Sequence, residues 1–184
     1  MAERKHPDMW VEPEDDPRVD ETPDSEIANL VQYLRRYRQT FEMKCDGLDA
    51  EQLARRSVPP STMSLLGLVR HLARVEHSWF HRVLQGHADE PKLFNPPDDP
   101  DIAFTGAVAD PAVVDEAWSV WREQVAAADG WLGTVGDDDM ARAVDVDGEP
   151  APIRDILLHM VEEYARHCGH ADLLREAIDG RTGQ

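Results

Sequence analysis

The stretch Ser64-Leu65-Leu66-Gly67-Leu68-Val69-Arg70-His71-Leu72-Ala73-Arg74-Val75-Glu76 decides the fold of this chain. Its apolar residues recur three and four positions apart, which is the spacing of one face of an α-helix. The sequence therefore predicts a helix from Thr62 or Ser64 to Gln85, and its wide apolar surface is typical of a helix packed at the centre of a domain. That surface comprises Leu65, Leu68, Leu72, Val75, Trp79 and Val83, widened by Leu66, Val69 and Phe80.

Three other segments show the same helical spacing, and each carries a start or stop signal. Ser25 is a good N-cap for the first segment, Asp110 with Pro111 suits the start of the third, and glycines follow the ends of the first and the last. On the side opposite the apolar stripe of the first helix we expect Arg35, Arg36, Arg38 and Lys44. The predicted helices are residues 25–46, 111–128 and 152–180.

The connections between these helices are long. Residues 48–60, 87–109 and 130–150 are interrupted by proline or glycine, and connectors of 20 residues or so are uncommon in a small domain unless the chain crosses over or forms a functional loop. Val144 and Val146 alternate with aspartates, which leaves a short strand or hairpin open. The fold class that follows is all-α, a four-helix bundle with long crossover connections.

The first 24 residues differ from the rest of the chain. They are polar, acidic and interrupted by Pro7, Pro13, Pro17 and Pro23, so they do not form a long helix. We interpret residues 1–24 as an acidic tail or arm lying on the domain, which Met9, Trp10 and Val11 would pin by burying apolar surface. The helical domain then comprises residues 25–184.

The charge balance excludes some classes of partner. The chain carries 37 acidic residues against 19 lysines and arginines, a formal net charge of -18. Binding to nucleic acid depends on clustered basic side chains, so we expect no nucleic-acid partner, and an anionic membrane surface is disfavoured for the same reason. We expect a small-molecule substrate instead.

Other sequence features favour a cytoplasmic location. The first residues lack the apolar core of a secretory signal, and no apolar run approaches the length of a membrane span. Cys45 and Cys168 are the only cysteines, and we expect them to be free thiols.

One face of the last predicted helix carries potential metal ligands. Glu163 and His167 are four residues apart, so their side chains lie one turn apart, while His159 lies a turn earlier and His170 almost a turn later. Imidazole and carboxylate are ordinary ligands of zinc, nickel, iron and manganese. One helix does not easily supply a full set, and His71 within the central apolar helix is the candidate from a second helix. Three protein ligands would leave a coordination position open for water or substrate.

Simpler interpretations exist for each of these residues. A glutamate four positions from a histidine is usually a surface ion pair, and a histidine on an apolar face is usually a hydrogen-bonded core residue. Glu76 and His77 are most simply a solvated pair at the helix flank, and we expect His81 and His87 on the surface. Cys168 is rejected as a ligand because it points about 100° away from His167 on a helix.

The joint pattern resembles the DinB-like superfamily, in its branch known as DUF664 or mini-circle-type proteins. The resemblance is carried by Ser64 through Glu76, by Leu157 through Arg175 and by the connector Gly47 through Leu53, and with the order of helices it covers about residues 25–180. It implies a metal held by a histidine of the second helix and by two residues four apart on the last helix. These positions are His71, Glu163 and His167; many relatives have histidine where this chain has Glu163.

The resemblance also implies a chemistry. Related enzymes use mycothiol and a His/Glu/His metal set, so it implies a divalent metal ion, zinc before nickel, iron or manganese, and mycothiol as co-substrate. The expected activity is transfer of this low-molecular-weight thiol to a small electrophile. In that setting His170 and His159 are the candidate catalytic residues that move a proton or orient the substrate. His170 has a second interpretation, as a fourth metal ligand or as a group that orients one. Maleylpyruvate isomerases of this kind carry a further C-terminal domain that the sequence lacks, which argues against that particular reaction.

Three hypotheses therefore stand beside one another. The chain is a metal-dependent thiol S-transferase, a non-catalytic metal- or small-molecule-binding stress protein, or a structural bundle whose histidines are merely packed. Whether it is an enzyme is undecided by the sequence, as is the choice between a monomer and a homodimer paired through its helices.

Overall fold

The structure, a computed structural model, describes residues 6, 8–18 and 22–183. The helix Leu65–Glu76 continues without interruption into a π-helical segment, His77–Leu84. The only sheet in the described ranges is a two-stranded antiparallel hairpin, so the mostly α-helical class predicted from the sequence is confirmed. The elements are α1 Glu26–Cys45, α2 Ala50–Ala54, α3 Leu65–Glu76, α4 Ile102–Thr105, α5 Pro111–Leu132, β1 Ala143–Val146, β2 Glu149–Pro152 and α6 Ile153–Asp179.

Helices α1 and α6 lie side by side and run in the same direction. Near their starts Glu26 Oε1 lies 3.8 Å from Arg154 Nη1, and near their ends Lys44 Nζ lies 2.6 Å from Asp172 Oδ1. The first and last helices of the chain are therefore parallel neighbours.

Helices α3 and α5 are also parallel. Arg70 and Glu116 form an ion pair of 3.4 Å in the first halves of the two helices, and the rings of Phe80 and Trp131 lie 6.0 Å apart towards their ends. Two consecutive long helices can run parallel only if the chain returns along their full length between them. Residues 85–110 make this crossover, which is why a long connector was needed.

Helices α3 and α6 run in opposite directions. His71 contacts Glu163, whereas Trp79, two turns further along the chain, packs against His159, one turn earlier in α6. With α1 parallel to α6 and α3 parallel to α5, the four long helices form a bundle with crossovers, as the sequence predicted.

The helix starts follow the capping signals. Ser25 Oγ accepts a hydrogen bond from the amide of Ala28, and Ser64 Oγ accepts one from the amide of Gly67. One predicted boundary was wrong: α5 continues beyond Ala128 to Leu132. Leu132 is buried in the core, so this last turn gains stability from packing that its glycine-containing sequence does not indicate.

Two of the predicted connectors contain additional short elements. Asp49 and Gln52 form a reciprocal capping box, which starts α2 in a region predicted to be irregular, and α4 lies in the middle of the crossover. The sequence left open whether Val144 and Val146 belong to a hairpin, and the structure contains this hairpin. Its turn residues, Asp147 and Gly148, have φ of 53° and 92°, the positive values that a type I′ turn requires.

Gly67 allows α4 to approach α3 closely. A Cβ atom added at Gly67 would lie 2.6 Å from Cδ1 of Phe104, so a larger residue would displace that ring. Phe104 in turn stacks on His71 with ring centroids 5.7 Å apart. The short helix of the crossover is thereby held against the site described below.

A buried polar network joins the four long helices. Glu76, which has no exposed surface, accepts hydrogen bonds of 2.8 and 2.7 Å from Arg38 and one of 2.6 Å from Tyr164. The hydroxyl of Tyr164 accepts a hydrogen bond of 2.9 Å from Trp121. Two expectations were therefore wrong: Glu76 is not solvated with its neighbour His77, and Arg38 does not lie on the solvent side of α1. Partners on other helices, which local spacing does not show, decide both positions.

The described part of the N-terminal region lies on the bundle. Trp10 is buried, and its ring is covered by the cationic groups of Lys44, Arg175 and Arg181 at 4.0, 5.3 and 3.8 Å. Lys44 is thus another predicted surface residue of α1 that is buried. Residues 1–5, 7 and 19–21 of the predicted arm lie outside the described residues, and the division of the chain after residue 24 stays a prediction. Across the described residues, no helix is long and apolar enough to span a membrane.

Candidate metal centre

The three side chains predicted to hold a metal meet between α3 and α6. His71 Nε2 lies 2.9 Å from Glu163 Oε1, and His167 Nε2 lies 3.3 Å from the same oxygen. The His71 and His167 rings are 4.6 Å apart. One ligand atom from each residue lies within 4.8 Å of the others. The antiparallel packing of the two helices thus brings a residue in the middle of α3 beside two residues one turn apart in α6.

These distances fit a small divalent ion. Ligand atoms bound at about 2.0–2.2 Å in a tetrahedral site lie about 3.3–3.6 Å apart. The separation between His167 and Glu163 matches this value, and that between His71 and Glu163 needs only a small increase. The three side chains are 10–18% exposed, so the cluster is shielded from bulk water without being sealed. Whether these residues are metal ligands stays a prediction, but their geometry agrees with it.

The electrostatics of the cluster favour a cation. Hydrogen bonds from His167 and His71 hold the pKa of Glu163 well below its usual range, so this carboxylate is ionised. Burial lowers the pKa of His71, against the opposing influence of Glu163, so its imidazole is neutral near pH 7. An ionised carboxylate beside neutral imidazole is the protonation state that metal binding requires.

The outer nitrogens of the two imidazoles have different partners. His167 Nδ1 lies 3.2 Å from His170 Nδ1, so His170 can accept a hydrogen bond from an Nδ1–H group of His167. In that tautomer His167 Nε2 carries no proton and can bind a metal. Arg74 Nη2, which can only donate, lies 3.0 Å from His71 Nδ1. His71 therefore carries its proton on Nε2 and donates it to Glu163. For His71 Nε2 to bind a metal, the proton must move to Nδ1 and Arg74 must turn away.

The two candidate catalytic residues lie at the edge of the cluster. His170 contacts His167, and its pKa is lowered by burial and by the neighbouring His167 and Arg166. His159 lies outside the group of three, with its ring 4.9 Å from that of Trp79. Their catalytic roles stay predictions. His170 is placed to act through His167, whereas His159 contacts Trp79, a residue of the cavity described below.

Sequence reasoning missed two residues of the site. Arg74 follows His71 by three positions, so its contact with that histidine could have been found from helical spacing. Phe104 comes from the crossover, and no local signal in the sequence connects it to His71. Together the two side chains restrict the orientation of the His71 ring.

A cavity of about 390 Å³ adjoins residues that contact the cluster, although none of the three predicted ligands lines it. Its lining includes Arg74, which contacts His71, and Trp79, which contacts His159. Arg82 and Lys92 also line it, so three cationic side chains and one carboxylate, that of Asp147, face this space. Its volume is in the range of sites that hold small organic molecules.

The thiols of the chain lie away from the cluster. Cys45 and Cys168 are buried and free, and burial raises the pKa of both, that of Cys168 to about 12. Cys168 donates a weak hydrogen bond to the carbonyl of Tyr37, which agrees with its rejection as a metal ligand. Neither thiol is therefore a nucleophile at neutral pH.

Comparisons with known proteins agree with this architecture. The family model for mycothiol-S-transferase matches residues 29–180. A crystal structure described as a conserved protein of locus from Enterococcus faecalis superposes with a TM-score of 0.64. It shares 15% sequence identity, and the alignment covers 86% of this chain and 99% of that one, so the similarity shows the fold alone. No curated protein matches the chain.

Proposed function

The chain belongs to the mycothiol S-transferase family, a DinB-like family, and on that basis we propose that it transfers a low-molecular-weight thiol to a small electrophile with the help of a divalent metal ion. Mycothiol is the thiol that the family name specifies. The observation that carries the proposal is the convergence of His71, Glu163 and His167 from two helices on a volume of ionic size.

Each residue of the cluster has a part in this proposal. His71, Glu163 and His167 would hold the ion, with zinc the metal best suited to this donor set and nickel, iron or manganese as alternatives. When bound, a divalent ion lowers the pKa of a thiol that it coordinates. Glu163 remains ionised and compensates part of the charge of the ion. His170 would accept a hydrogen bond from the Nδ1–H group of His167 and so fix the orientation of that ring.

The nucleophile must come from a second molecule. The chain has only two cysteines, and both are buried and protonated. Neither belongs to the cluster of potential metal ligands. A protein of this kind can perform thiol chemistry only on a thiol that it binds. The cavity lined by Arg74 and Trp79 offers the space for a small partner. His159, whose ring contacts that of Trp79, is the histidine that would exchange a proton with this partner.

Other expectations remain part of the proposal. The cytoplasm is the compartment in which a reduced low-molecular-weight thiol is abundant, and the acidity of the chain argues against nucleic acid or anionic membrane as partners. Either a monomer or a homodimer is compatible with a site built within one chain.

The proposal is tested by metal content and by thiol conjugation. We expect the purified protein to bind zinc and to accelerate the reaction of mycothiol with monochlorobimane. We expect His71→Ala and Glu163→Gln to lose the acceleration and the ion held by this cluster. His6→Ala and Glu162→Gln are matched controls on the surface, at an exposed histidine and at the neighbour of Glu163.

The outcomes separate the hypotheses. Metal binding without acceleration for any thiol and electrophile pair would favour the non-catalytic binding protein. If His71→Ala changed neither metal content nor folding, the assignment of the site would be wrong. A protein that binds no divalent ion at this cluster would be a structural bundle with packed histidines.

A further inference from the structure

A second group of potential metal ligands lies at the other end of the helix that carries His71. His77 and His81 belong to the π-helical segment and are four residues apart, and Glu90 lies beyond the turn that follows. One ligand atom from each of the three lies within 4.8 Å of the others. The sequence analysis placed these histidines on the surface, and the mycothiol S-transferase assignment gives them no role.

His77 is the unusual member of this group. It is 8% exposed, and its Nδ1 atom has no hydrogen-bond partner among the residues that the structure describes. Leaving a buried polar nitrogen unsatisfied costs about 1–3 kcal/mol, so such atoms call for an explanation. A metal ion shared with the two neighbouring ligands would provide one.

The other two ligands are already in contact. His81 Nε2 lies 2.8 Å from Glu90 Oε2, and the rings of His77 and His81 stack with centroids 5.0 Å apart. His87 stacks on the far side of His81 at 4.3 Å, and its Nδ1 lies 3.5 Å from Glu90 Oε1. Three imidazoles and one carboxylate thus contact one another within residues 77–90.

The π-helical geometry contributes to this arrangement. A π-helix has a wider turn than an α-helix, and short π-helical segments occur often at functional sites. Arg82, between the histidines in sequence, points away and donates hydrogen bonds to the carbonyls of Ala88 and Glu90. Its guanidinium closes the turn and at the same time adds a positive charge near the group, which weakens binding of a cation without occupying the ligand positions.

We propose that His77, His81 and Glu90 form a second divalent metal site, selective for imidazole-preferring ions such as zinc, nickel or copper. Its ligands are distinct from the first set, since six residues separate His77 from His71, a rotation of about 240° around an α-helix. Bound metal would replace the direct contact between His81 and Glu90 and fasten residues 86–90 to the helix. The site is structural, and the thiol chemistry proposed above does not depend on it.

Zinc titration of the metal-free full-length protein by calorimetry tests this site. We expect two zinc ions per chain for the wild type, one for His81→Ala and one for a double variant with His71→Ala and His167→Ala. Glu90→Gln should weaken one of the two ions only, and His6→Ala should retain both. His81 and Glu90 are partly exposed, so these variants spare the core, and circular dichroism checks their fold.

A second measurement reports the location of the ion. Amide hydrogen exchange in residues 86–90 should slow on addition of zinc in the wild type and in the double variant, but not in His81→Ala. Two ions retained by His81→Ala, or a single wild-type ion that His81→Ala retains, would overturn the second site. A single ion lost in His81→Ala but not in the double variant would support it and contradict the metal centre of the proposed function.

Discussion

Glu76 and Glu163 are two carboxylates at the interface of the same two helices, and their partners differ. Glu76 is fully buried and accepts two hydrogen bonds from the guanidinium of Arg38 and one from the hydroxyl of Tyr164. Glu163 is 18% exposed and faces His71 and His167. The first carboxylate has a permanent cation as its partner, whereas the second has the imidazoles of two histidines.

This difference separates a structural group from a binding site. A guanidinium stays charged at every accessible pH, so Arg38 permanently neutralises the charge of Glu76. The imidazoles around Glu163 can give up their protons, and a divalent ion can then take their place beside the carboxylate. A carboxylate inside a helical bundle therefore indicates a metal site only when a metal ion can replace the protons of its hydrogen-bond partners.

The largest effect on stability is expected when Glu76 is removed from its ion pair with Arg38. Glu76→Ala leaves the hydroxyl of Tyr164 without its acceptor and leaves Arg38 with only the half-exposed Asp129 as a carboxylate partner. We expect the free energy of unfolding to fall by about 3–5 kcal/mol in urea denaturation. Glu162→Ala, at an exposed position of α6, should change it by less than about 0.5 kcal/mol. A Glu76→Ala protein as stable as the wild type would show that the pair contributes little.

Glu163→Gln should affect metal binding strongly and the free energy of unfolding only weakly. We expect it to weaken zinc binding by at least about a hundredfold, because it removes the charged ligand. In metal-free protein the same substitution should lower the free energy of unfolding less than Glu76→Ala does. Competition with a chromogenic chelator measures the first quantity and urea denaturation the second. Equal losses of stability in both variants would contradict the distinction between the two carboxylates.

Arg74→Met should strengthen metal binding several-fold. The guanidinium keeps His71 in the tautomer whose Nε2 carries the proton, and it also repels a cation. Removing it allows water to accept a hydrogen bond from Nδ1 of His71. The same chelator competition checks this prediction, and Arg166→Met, at an exposed position of α6, serves as the control. Weaker binding in Arg74→Met would mean that the arginine supports the site.

The smallest effect concerns acid stability in metal-free protein. The pKa of Glu163 is lower in the folded state than its value of about 4.3 in an unfolded chain. Its contribution to stability is therefore fully present above that unfolded value and is lost as the pH falls towards the lower folded pKa. We expect denaturation curves from pH 6 to pH 3 to show a shallower loss of stability for Glu163→Gln than for the wild type, since glutamine does not titrate.

Local sequence determined much of the bundle. The apolar spacing of four segments and the caps at Ser25 and Asp110 predicted the long helices, because helix periodicity and capping are properties of neighbouring residues. The one-turn spacing of Glu163 and His167 likewise placed both on one face of α6 without any knowledge of the fold. Their pairing with His71 across two helices came from the need for a further ligand and from the family resemblance.

Only the tertiary structure decided which charged residues are buried and what each one contacts. The guanidinium of Arg38 reaches Glu76 from another helix, Phe104 reaches His71 from the crossover, and His77 becomes buried with an unpaired nitrogen. The physical reason is that desolvation and ion pairing depend on groups distant in sequence, whose approach is set by helix direction and packing. Residue spacing specifies a helix face, but the neighbour that covers this face is specified by the whole chain.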